Sequence, residues 1–282
     1  MSAATIGSLL REAEQQLSAS PTPRLDAEVL LCKVLKLQRS HLISAVDGCV
    51  HAQARDCYKH LIAERARGMP VAYLTGYREF WSLRVEVNPH TLIPRPETEH
   101  LVEVALELIR SQGARKLADL GTGAGAIALA MASACPECQI TATDISLEAL
   151  HVARRNAARL RLHTITFRHG DWYEALEETA FDLILANPPY IPLAHPCLKE
   201  GDLRFEPRLA LLGGMDGLEA LRRIVVGASK YLRLGGWLAL EHGHDQKKAL
   251  GELLSGAGFQ GIRSLRDYGG HDRVILAQFG RS

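Results

Sequence analysis

Apolar residues recur at helical spacing through the first part of the chain. Between residues 5 and 67 they return every three or four positions, which is the pattern of amphipathic helices with one buried face. The run Ser20-Pro21-Thr22-Pro23 interrupts this pattern. Asp26 and Ser40 are candidate N-terminal caps, because their side-chain oxygens can accept hydrogen bonds from free backbone N–H groups. The pattern predicts a small domain of three to five short helices, which we assign to residues 1–72.

Aromatic and β-branched residues replace the helical spacing after residue 71. Turn signals at Thr75-Gly76 and Asn88-Pro89 bound this stretch, which predicts a β-hairpin linker over residues 73–94. An amphipathic helix then follows the sequence IPRPETE, in which Pro96 suits a first helical turn. We expect this helix to open a second domain that covers residues 95–282.

Short apolar runs alternate with helical stretches after residue 115. The predicted strands are KLADLG, QITATD, ITFRHGD, FDLILANPPY and GWLALEHG, with helices predicted at 124–134, 147–160, 216–232 and 245–256. This alternation predicts an α/β domain whose parallel sheet is covered by helices on both faces. The last two runs, FQGIRSLRDYGG and RVILAQFG, are separated only by a glycine-rich turn, which favours a final antiparallel hairpin.

The charge of the chain is nearly balanced. Its 282 residues are 47% hydrophobic and 23% charged, as in ordinary folded proteins, and the formal net charge is +1. The first 75 residues contain 9 basic and 7 acidic side chains, and the remainder contains 24 and 25. Proteins that bind a nucleic-acid backbone usually carry a marked basic excess. We therefore expect no direct nucleic-acid binding.

The N-terminal sequence and the cysteines bear on location. Acidic residues interrupt the first apolar stretch, and no window approaches the roughly 18 apolar residues of a membrane span. We expect a cytoplasmic monomer that does not bind a membrane, with its six irregularly spaced cysteines as free thiols. Cys135 and Cys138 have half-zinc-site spacing without a second pair, and a polar strand end explains His242 and His244. We predict no metal site.

A glycine-rich loop follows the first strand of the predicted sheet. Small residues there allow a ligand to approach the backbone and the N-terminus of the next helix. Asp144 ends the following strand 19 residues after Gly125, about where a doubly wound fold places a carboxylate that accepts from both ribose hydroxyls. Asp144 or Ser146 could instead only cap the next helix. The loop itself fits NAD, S-adenosylmethionine or a tight turn without a ligand. Its residues are Gly121, Thr122, Gly123, Ala124 and Gly125.

The strand FDLILA stops at Asn187, Pro188, Pro189 and Tyr190, because neither proline can donate to a sheet ladder. In a doubly wound sheet this strand lies beside the first one, so Asn187 should face the glycine loop. The Asn187 side-chain oxygen and the Pro188 carbonyl can accept both hydrogens of a planar NH2 group, while Tyr190 offers a flat wall. No ionisable base is then essential. Asn-Pro-Pro-Tyr is typical of methyltransferases that use S-adenosylmethionine on adenine or cytosine amines and on glutamine amides, which favours this cofactor over NAD.

These motifs, with several others, closely resemble the bacterial release factor glutamine N5-methyltransferase family over essentially the full chain. The resemblance is carried by DLGTGAGAIALA, NPPYI, LIPRPETE, GDW, GDLRFEP, LEHG and RDYG. It implies a seven-stranded Rossmann-like class I methyltransferase domain, preceded by the helical domain and the hairpin. It also implies methyl transfer from S-adenosylmethionine to the glutamine of the Gly-Gly-Gln motif in class 1 peptide chain release factors, which modulates translation termination and leaves S-adenosylhomocysteine.

The resemblance also implies roles for residues of this sequence. The loop from Gly121 to Gly125 would hold the cofactor, Asp144 its ribose, and Trp172 would lie near the adenine. Asn187 to Tyr190 would bind the target glutamine. Asp171 could bond the adenine amine, and Asp119 could help to hold the methionine end of the cofactor. The helical domain would help to recognise the release factor or would only stabilise the protein, and Arg95 and Glu99 would line the cleft or brace the linker.

Two other functions fit parts of the sequence. An N6-adenine methyltransferase that acts on DNA or RNA could use the same Asn187 to Tyr190 motif, although the near-neutral charge disfavours it. A ribosome-binding or factor-binding protein could retain the fold without the activity, because fold does not fix function. The intact motifs argue against this last possibility.

Overall fold

The computed structural model describes residues 4–177 and 179–280 and divides the chain into two compact units. The first unit runs to Tyr77 and includes the distant segment Lys199–Phe205. The second unit contains Arg78–Leu198 and the chain from Glu206 onwards. The predicted domain limits at 72 and 94 stay a prediction.

Helices around one apolar core make up the first unit. They are α1 (Ile6–Gln16), α2 (Pro23–Leu35), α3 (Arg39–Ser44), α4 (Ala52–Ala66) and α5 (Val71–Thr75). Leu10, Leu30 and Leu42 are almost fully buried in this core, beside Tyr58 and Ile62. Burying each such side chain contributes about 1.5–3 kcal/mol. Helical spacing of the apolar residues therefore identified this unit correctly.

The predicted helix caps were wrong. The N-terminal cap residues are Thr22 for α2 and Gln38 for α3, and neither makes a side-chain capping hydrogen bond. Asp26 lies inside α2, where its carboxylate accepts from Arg65 Nε at 2.7 Å. Ser20 also donates to Oδ2 and Thr22 Oγ1 donates to Oδ1, so side chains rather than free backbone N–H groups occupy both carboxylate oxygens. Ser40 lies within α3.

The segment Lys199–Phe205 joins the first unit through arginines of α4 and its C-terminal end. Arg65 donates to Asp202 at 3.1 Å, and Arg204 donates to the carbonyl of Arg67 at 3.0 Å. Most of this segment forms a short 3-10 helix at Gly201–Phe205. No local pattern signals these contacts, because their partners are 137 positions apart in the sequence.

A short hairpin follows α5. Strands β1 (Tyr77–Phe80) and β2 (Leu83–Glu86) pair across a turn in which Trp81 and Ser82 have positive φ. Within the second unit, Asn156 ties β2 to the glycine loop, since its amide nitrogen donates to the carbonyls of Glu86 and Ala124, each at 3.0 Å. The predicted β-hairpin is thereby confirmed.

The second unit is built on a sheet whose seven strands all lie in the described residues, in the order β5-β4-β3-β6-β7-β9-β8. Its strands are β3 (Lys116–Leu120), β4 (Gln139–Asp144), β5 (Ile165–His169), β6 (Phe181–Ala186), β7 (Leu232–Glu241), β8 (Phe259–Arg266) and β9 (Asp272–Phe279). Strands β3 to β7 are parallel, and β9 runs antiparallel to β7 and β8. The α/β fold class and the antiparallel final hairpin are confirmed.

The helices of the second unit follow the predicted order. They are α6 (Glu99–Gln112), α7 (Ala126–Ala134), α8 (Leu147–Leu160), α9 (Glu219–Tyr231) and α10 (Lys247–Gly256). Ala118 and Leu120 of β3 share an apolar core with Leu221 and Leu250, which lie on α9 and α10. Because β3 pairs with both β4 and β6, the order of strands reverses at β3, and a crevice opens at that point.

Among the described residues, no helix combines the length and the apolar character that a membrane span requires.

Candidate active site

A cavity of about 350 Å³ lies at the carboxyl ends of the central parallel strands. Residues that follow β3, β4, β5 and β6 contribute to its wall, and so does α9. Most of the residues predicted to form the site line this cavity: Gly121, Gly123, Asp144, Asp171, Trp172, Asn187 and Pro189. The fold thus brings together motifs that are up to 68 positions apart in the sequence.

The glycine loop between β3 and α7 has a backbone that suits glycine. Gly121, Gly123 and Gly125 have φ values of +71°, +58° and +89°. A Cβ atom on Gly121 would lie 3.0 Å from Cζ3 of Trp172, so a larger residue would meet the indole ring. The Thr122 N–H donates to the carbonyl of Thr143 at 2.8 Å, which fixes the loop against β4. The loop therefore presents a tightly held backbone to the cavity.

A hydrogen bond between Asp119, near the end of β3, and Thr122 fixes the glycine loop. Asp119 is only 1% exposed, and its Oδ2 accepts from Thr122 Oγ1 at 2.6 Å. Oδ1 accepts no hydrogen bond of ordinary geometry from the described residues, although the backbone N–H of Ala128 acts to lower the pKa of Asp119. Burial raises the pKa of Asp119 to about 7, and the nearby charge of Asp144 acts in the same direction. Asp119, Thr122, Ala124 and Gly125 do not line the cavity.

Asp144 is bound by backbone groups on both carboxylate oxygens. Gly123 N–H donates to Oδ2 and Ser146 N–H donates to Oδ1, each at 2.8 Å. Burial raises the pKa of Asp144, while these hydrogen bonds lower it. Ser146 is the cap of α8, accepting from Ala149 N–H at 3.1 Å. Each Asp144 oxygen keeps further lone-pair capacity for a ligand hydroxyl, since a carboxylate oxygen can accept more than one hydrogen bond.

Trp172 forms the wall opposite the glycine loop. It begins a 3-10 helix after β5 and has a φ of +49°, an uncommon conformation for a bulky residue. Asp171 lies beside it and is bound to Arg223 of α9 at 2.5 Å. Arg223 also lines the cavity, although no sequence pattern predicted a role for it. The indole ring packs against Gly121 and also lines the cavity, so it can offer an aromatic surface to a planar ligand.

Asn187 is held at the end of β6 by a hydrogen bond from its amide nitrogen to Thr98 Oγ1 at 3.0 Å. Pro188 is buried beside it, and Pro189 lines the cavity. The Tyr190 carbonyl accepts from Gln246 Nε2 at 3.0 Å. The Tyr190 hydroxyl donates to Glu241 Oε1 at 3.2 Å. The motif is thus fixed at both ends, with the asparagine at the cavity.

Thr98 and Glu241 were missed as site residues, although both lie in quoted motifs. Thr98 Oγ1 donates to Glu241 Oε2 at 2.7 Å, and both side chains are buried. Burial raises the pKa of Glu241, whereas the hydrogen bonds from Thr98 and Tyr190 and the charge of Arg273 lower it. Glu241 could have been noticed in the sequence as an acidic residue at the end of an apolar strand, directly before His242. The sequence analysis interpreted this strand end only as polar and assigned no role to Glu241.

Several other candidates lie outside the cavity. Arg95 is paired with the buried Glu206, and Glu99 accepts from the backbone N–H of Trp81 at 2.8 Å. These contacts brace the chain that leads into α6. His242 is buried, with Nδ1 at 2.7 Å from the carbonyl of Gly243. In the described ranges no three His, Cys, Asp or Glu side chains form a group that could hold a metal ion.

This arrangement can bind a ligand that has hydroxyls for Asp144 and a flat ring for Trp172. It can also place a second molecule against Asn187 and Pro189, at the other side of the same cavity. The Asn187 amide nitrogen is engaged by Thr98, and no described residue donates to its oxygen Oδ1. The free oxygen is therefore a hydrogen-bond acceptor for an N–H group.

Comparisons with known proteins agree with this geometry. Residues 99–195 match the model of the methyltransferase small domain family, and residues 8–76 match the PrmC N-terminal domain. A release factor glutamine methyltransferase from Xylella fastidiosa is 50% identical over 255 residues, which covers 90% of this chain and 93% of that protein. One from Vibrio cholerae is 47% identical over 281 residues, covering 98% of this chain and 97% of the relative.

A solved structure shares the fold. The methyltransferase from Pyrococcus furiosus aligns with a TM-score of 0.52 and 22% identity, over 70% of this chain and 89% of that one. At this identity the likeness bears on the fold alone, and it supports the class I methyltransferase architecture of the sheet.

Proposed function

The chain belongs to the release factor glutamine methyltransferase family, and from this membership and the geometry of the cavity we propose its reaction. It transfers a methyl group from S-adenosylmethionine to the side-chain amide nitrogen, N5, of the glutamine in the Gly-Gly-Gln motif of peptide chain release factors. The products are N5-methylglutamine, S-adenosylhomocysteine and a proton, which the nitrogen releases once the N–CH3 bond has formed. The observation that carries the proposal is that Asn187 and Pro189 line the same cavity as Gly121 and Asp144.

The cavity wall fits S-adenosylmethionine. Gly123 lines the cavity and has open space around its Cβ position, which leaves room for a ligand against the loop backbone, and Asp144 offers carboxylate oxygens to ribose hydroxyls. Trp172 offers its ring face to the adenine, and Asp171 is placed to accept from the adenine amine. Asp119 acts indirectly, since it holds the loop through Thr122 and places negative charge below it. When bound, the cofactor supplies a methyl group on a positively charged sulfonium.

Asn187 and Pro188 orient the nucleophile. An amide nitrogen is a weak nucleophile because its lone pair is delocalised, so the enzyme has to hold it in line and stabilise the charge that develops on it. Asn187 Oδ1 and the Pro188 carbonyl accept hydrogen bonds from the two N–H groups of the substrate amide, which increases electron density on the nitrogen and stabilises the positive charge that develops on it during transfer. Tyr190 packs against the side of the substrate chain. No ionisable base is required before the methyl group is transferred.

The partners follow from the same proposal. We infer that the helical domain of residues 1–72, linked by residues 73–94, helps to recognise the release factor. A folded protein loop as substrate requires no basic surface, which agrees with the net charge of +1. Release factors work on ribosomes, so we infer a cytoplasmic location. The monomeric state stays a prediction.

A methyl-labelling experiment tests this function against its alternatives. The protein is incubated with S-adenosylmethionine that carries a labelled methyl group, together with an unmodified release factor. Parallel samples contain the same factor with the motif glutamine replaced by glutamate, or DNA, or RNA. We expect label only in the factor that has the glutamine. Label in adenine of DNA or RNA would favour a nucleic-acid methyltransferase. Label in the glutamate variant would show that the protein methylates a residue of the release factor other than the motif glutamine.

A further inference from the structure

A buried hydrogen-bond chain connects Asn187 to a carboxylate that does not line the cavity. Asn187 Nδ2 donates to Thr98 Oγ1 at 3.0 Å, and Thr98 Oγ1 donates to Glu241 Oε2 at 2.7 Å. The other carboxylate oxygen, Oε1, accepts from the hydroxyl of Tyr190 at 3.2 Å. One glutamate therefore holds both ends of the Asn187 to Tyr190 motif.

The direction of these hydrogen bonds is set by Glu241. An ionised carboxylate can only accept, so the single hydroxyl hydrogen of Thr98 must point to it. The Thr98 oxygen then has only lone pairs left for Asn187, which accept the amide NH2 group. A flipped amide would bring Asn187 Oδ1 against those lone pairs, an acceptor facing an acceptor. These hydrogen bonds thus allow only one orientation of the Asn187 amide.

That orientation is the one that methyl transfer needs. With Nδ2 bound to Thr98, Oδ1 is the group that remains for a substrate N–H, and the flipped amide would present hydrogens to a substrate that also presents hydrogens. Thr98 is 4% exposed and Glu241 is 1% exposed, so water does not compete readily for these bonds. Neither side chain lines the cavity, so neither is placed to contact substrate directly.

We propose that Thr98 and Glu241 are positioning residues, which fix the Asn187 amide so that its oxygen accepts from the substrate nitrogen. This inference rests on the proposed function, because the substrate is taken to be an amide. The Glu241 carboxylate sets the direction of donation in this series of hydrogen bonds. Thr98 donates to Glu241 and therefore accepts from Asn187. The same carboxylate also accepts from the Tyr190 hydroxyl and so holds the other end of the motif.

The environment of Glu241 is consistent with this role. On balance burial raises its pKa, and the hydrogen bonds from Thr98 and Tyr190 oppose part of that increase. Arg273, on the neighbouring strand β9, favours the ionised form through its charge, and Glu97 disfavours it. The polar groups that surround the carboxylate thus offset part of its desolvation.

Two substitutions at Thr98 test whether its hydroxyl positions the Asn187 amide. Thr98→Val keeps the shape of the side chain and removes the hydroxyl, and Thr98→Ser keeps the hydroxyl as a matched control. We expect kcat for the release factor to fall about 100-fold in Thr98→Val, since a misplaced catalytic amide has an effect of this order. Cofactor affinity, measured by calorimetry, should stay at the wild-type value. Thr98→Ser should restore turnover. Turnover in Thr98→Val that equals that of Thr98→Ser would overturn the proposal.

A double-mutant cycle separates positioning from general damage to the fold. If Thr98 acts through Asn187, then Thr98→Val should cause little further loss in an Asn187→Ala background. An equal loss in both backgrounds would mean that Thr98 acts independently of Asn187, which would also overturn the proposal. If Thr98→Val does not fold, as judged by its circular dichroism spectrum, Thr98→Ala takes its place in the cycle.

The wild-type protein separates this inference from the proposed function. If the wild type methylates the release factor and Thr98→Val does so equally well, only the positioning role fails. If the wild type does not methylate the release factor, the proposed function itself fails, and with it the inference built on it.

Discussion

Replacing Asp119 by asparagine should stabilise the cofactor-free protein at neutral and alkaline pH. Asp119 lies at the end of β3, almost fully buried, with Oδ2 bound to Thr122 and no described donor for Oδ1. Asparagine keeps the shape and the acceptor oxygen for Thr122, and its amide nitrogen takes the place of Oδ1. The substitution therefore removes a buried charge while it keeps the hydrogen bond that fixes the loop.

The pKa of Asp119 gives the size of the effect. Burial raises it from 3.8 to about 7. Because each pKa unit corresponds to about 1.4 kcal/mol, keeping the carboxylate ionised in the folded state costs about 4 kcal/mol. The sign follows from proton binding. The folded state holds this proton more tightly than the unfolded chain, so the contribution of Asp119 to stability is greatest below pH 3.8 and falls as the pH rises to about 7.

Urea unfolding of the wild type and of Asp119→Asn, without cofactor, measures this difference. We expect the advantage of Asp119→Asn to grow by about 3 kcal/mol between about pH 5 and about pH 8. The cofactor is left out because bound ligand adds its own stabilisation. A difference between the two proteins that does not change with pH would refute the reasoning. Because S-adenosylmethionine is positively charged, we also expect Asp119→Asn to bind it more weakly.

Asp182 provides a control of opposite sign. Although its partial burial acts to raise the pKa of this carboxyl, hydrogen bonds from the backbone N–H groups of Lys116 and Arg115, together with Arg233, lower it on balance. A lowered pKa contributes stability above the pKa of the unfolded chain, and that stability is lost as the pH falls through the folded value. Asp182→Asn should therefore destabilise the protein at neutral pH and have less effect in acid. Stabilisation by both asparagine variants at neutral pH would indicate a general effect of removing negative charge.

Three further predictions concern activity and ligand binding. Asn187→Ala should retain cofactor affinity in calorimetry but lose most turnover, and normal turnover would contradict its role. Gly121→Ala should weaken cofactor binding, because its Cβ would meet the neighbouring tryptophan at 3.0 Å in the cavity wall. Gly113→Ala is the control, because Gly113 has a similar φ of +69° but open space around its Cβ. If Gly113→Ala weakens cofactor binding equally, backbone strain alone explains the effect of Gly121→Ala. Turnover should fall when the pH is lowered through the raised pKa of Glu241, since protonated Glu241 can donate to Thr98 and release the amide orientation. Arg273, Tyr190 and Glu97 also influence the pKa of this carboxyl. If Thr98→Val leaves the pH profile of turnover unchanged, the assignment of the profile to Glu241 is contradicted.

Local sequence patterns were sufficient for most of the fold. Helix α8 spans residues 147–160 as predicted, because Ser146 caps its start and Arg161 ends it in a left-handed conformation. Helix α9 begins at Glu219 rather than 216, because the Asp216 side chain accepts from the backbone of Leu218 and forms a turn before the helix. Apolar spacing does not distinguish such a turn from the first turn of a helix.

The site was predicted where its chemistry lies in contiguous motifs and missed where it depends on tertiary contact. The glycine loop, Asp144 and Asn187 each follow a strand, and the parallel sheet brings strand ends together at one edge. Thr98 and Glu241 are 143 positions apart, so their hydrogen bond is not visible in either motif. Arg223 lies on a helix face, where an arginine more often faces solvent.

Mass spectrometry of the substrate tests the central claim most directly. A purified, unmodified release factor is incubated with this protein and S-adenosylmethionine, and its peptides are fragmented to locate any added methyl group. We predict a gain of one CH2 group on the side-chain nitrogen of the Gly-Gly-Gln glutamine, and a much smaller methylated fraction after the same time when Asn187→Ala replaces the wild type. A methyl group on another residue, or none despite measured cofactor binding, would contradict the account.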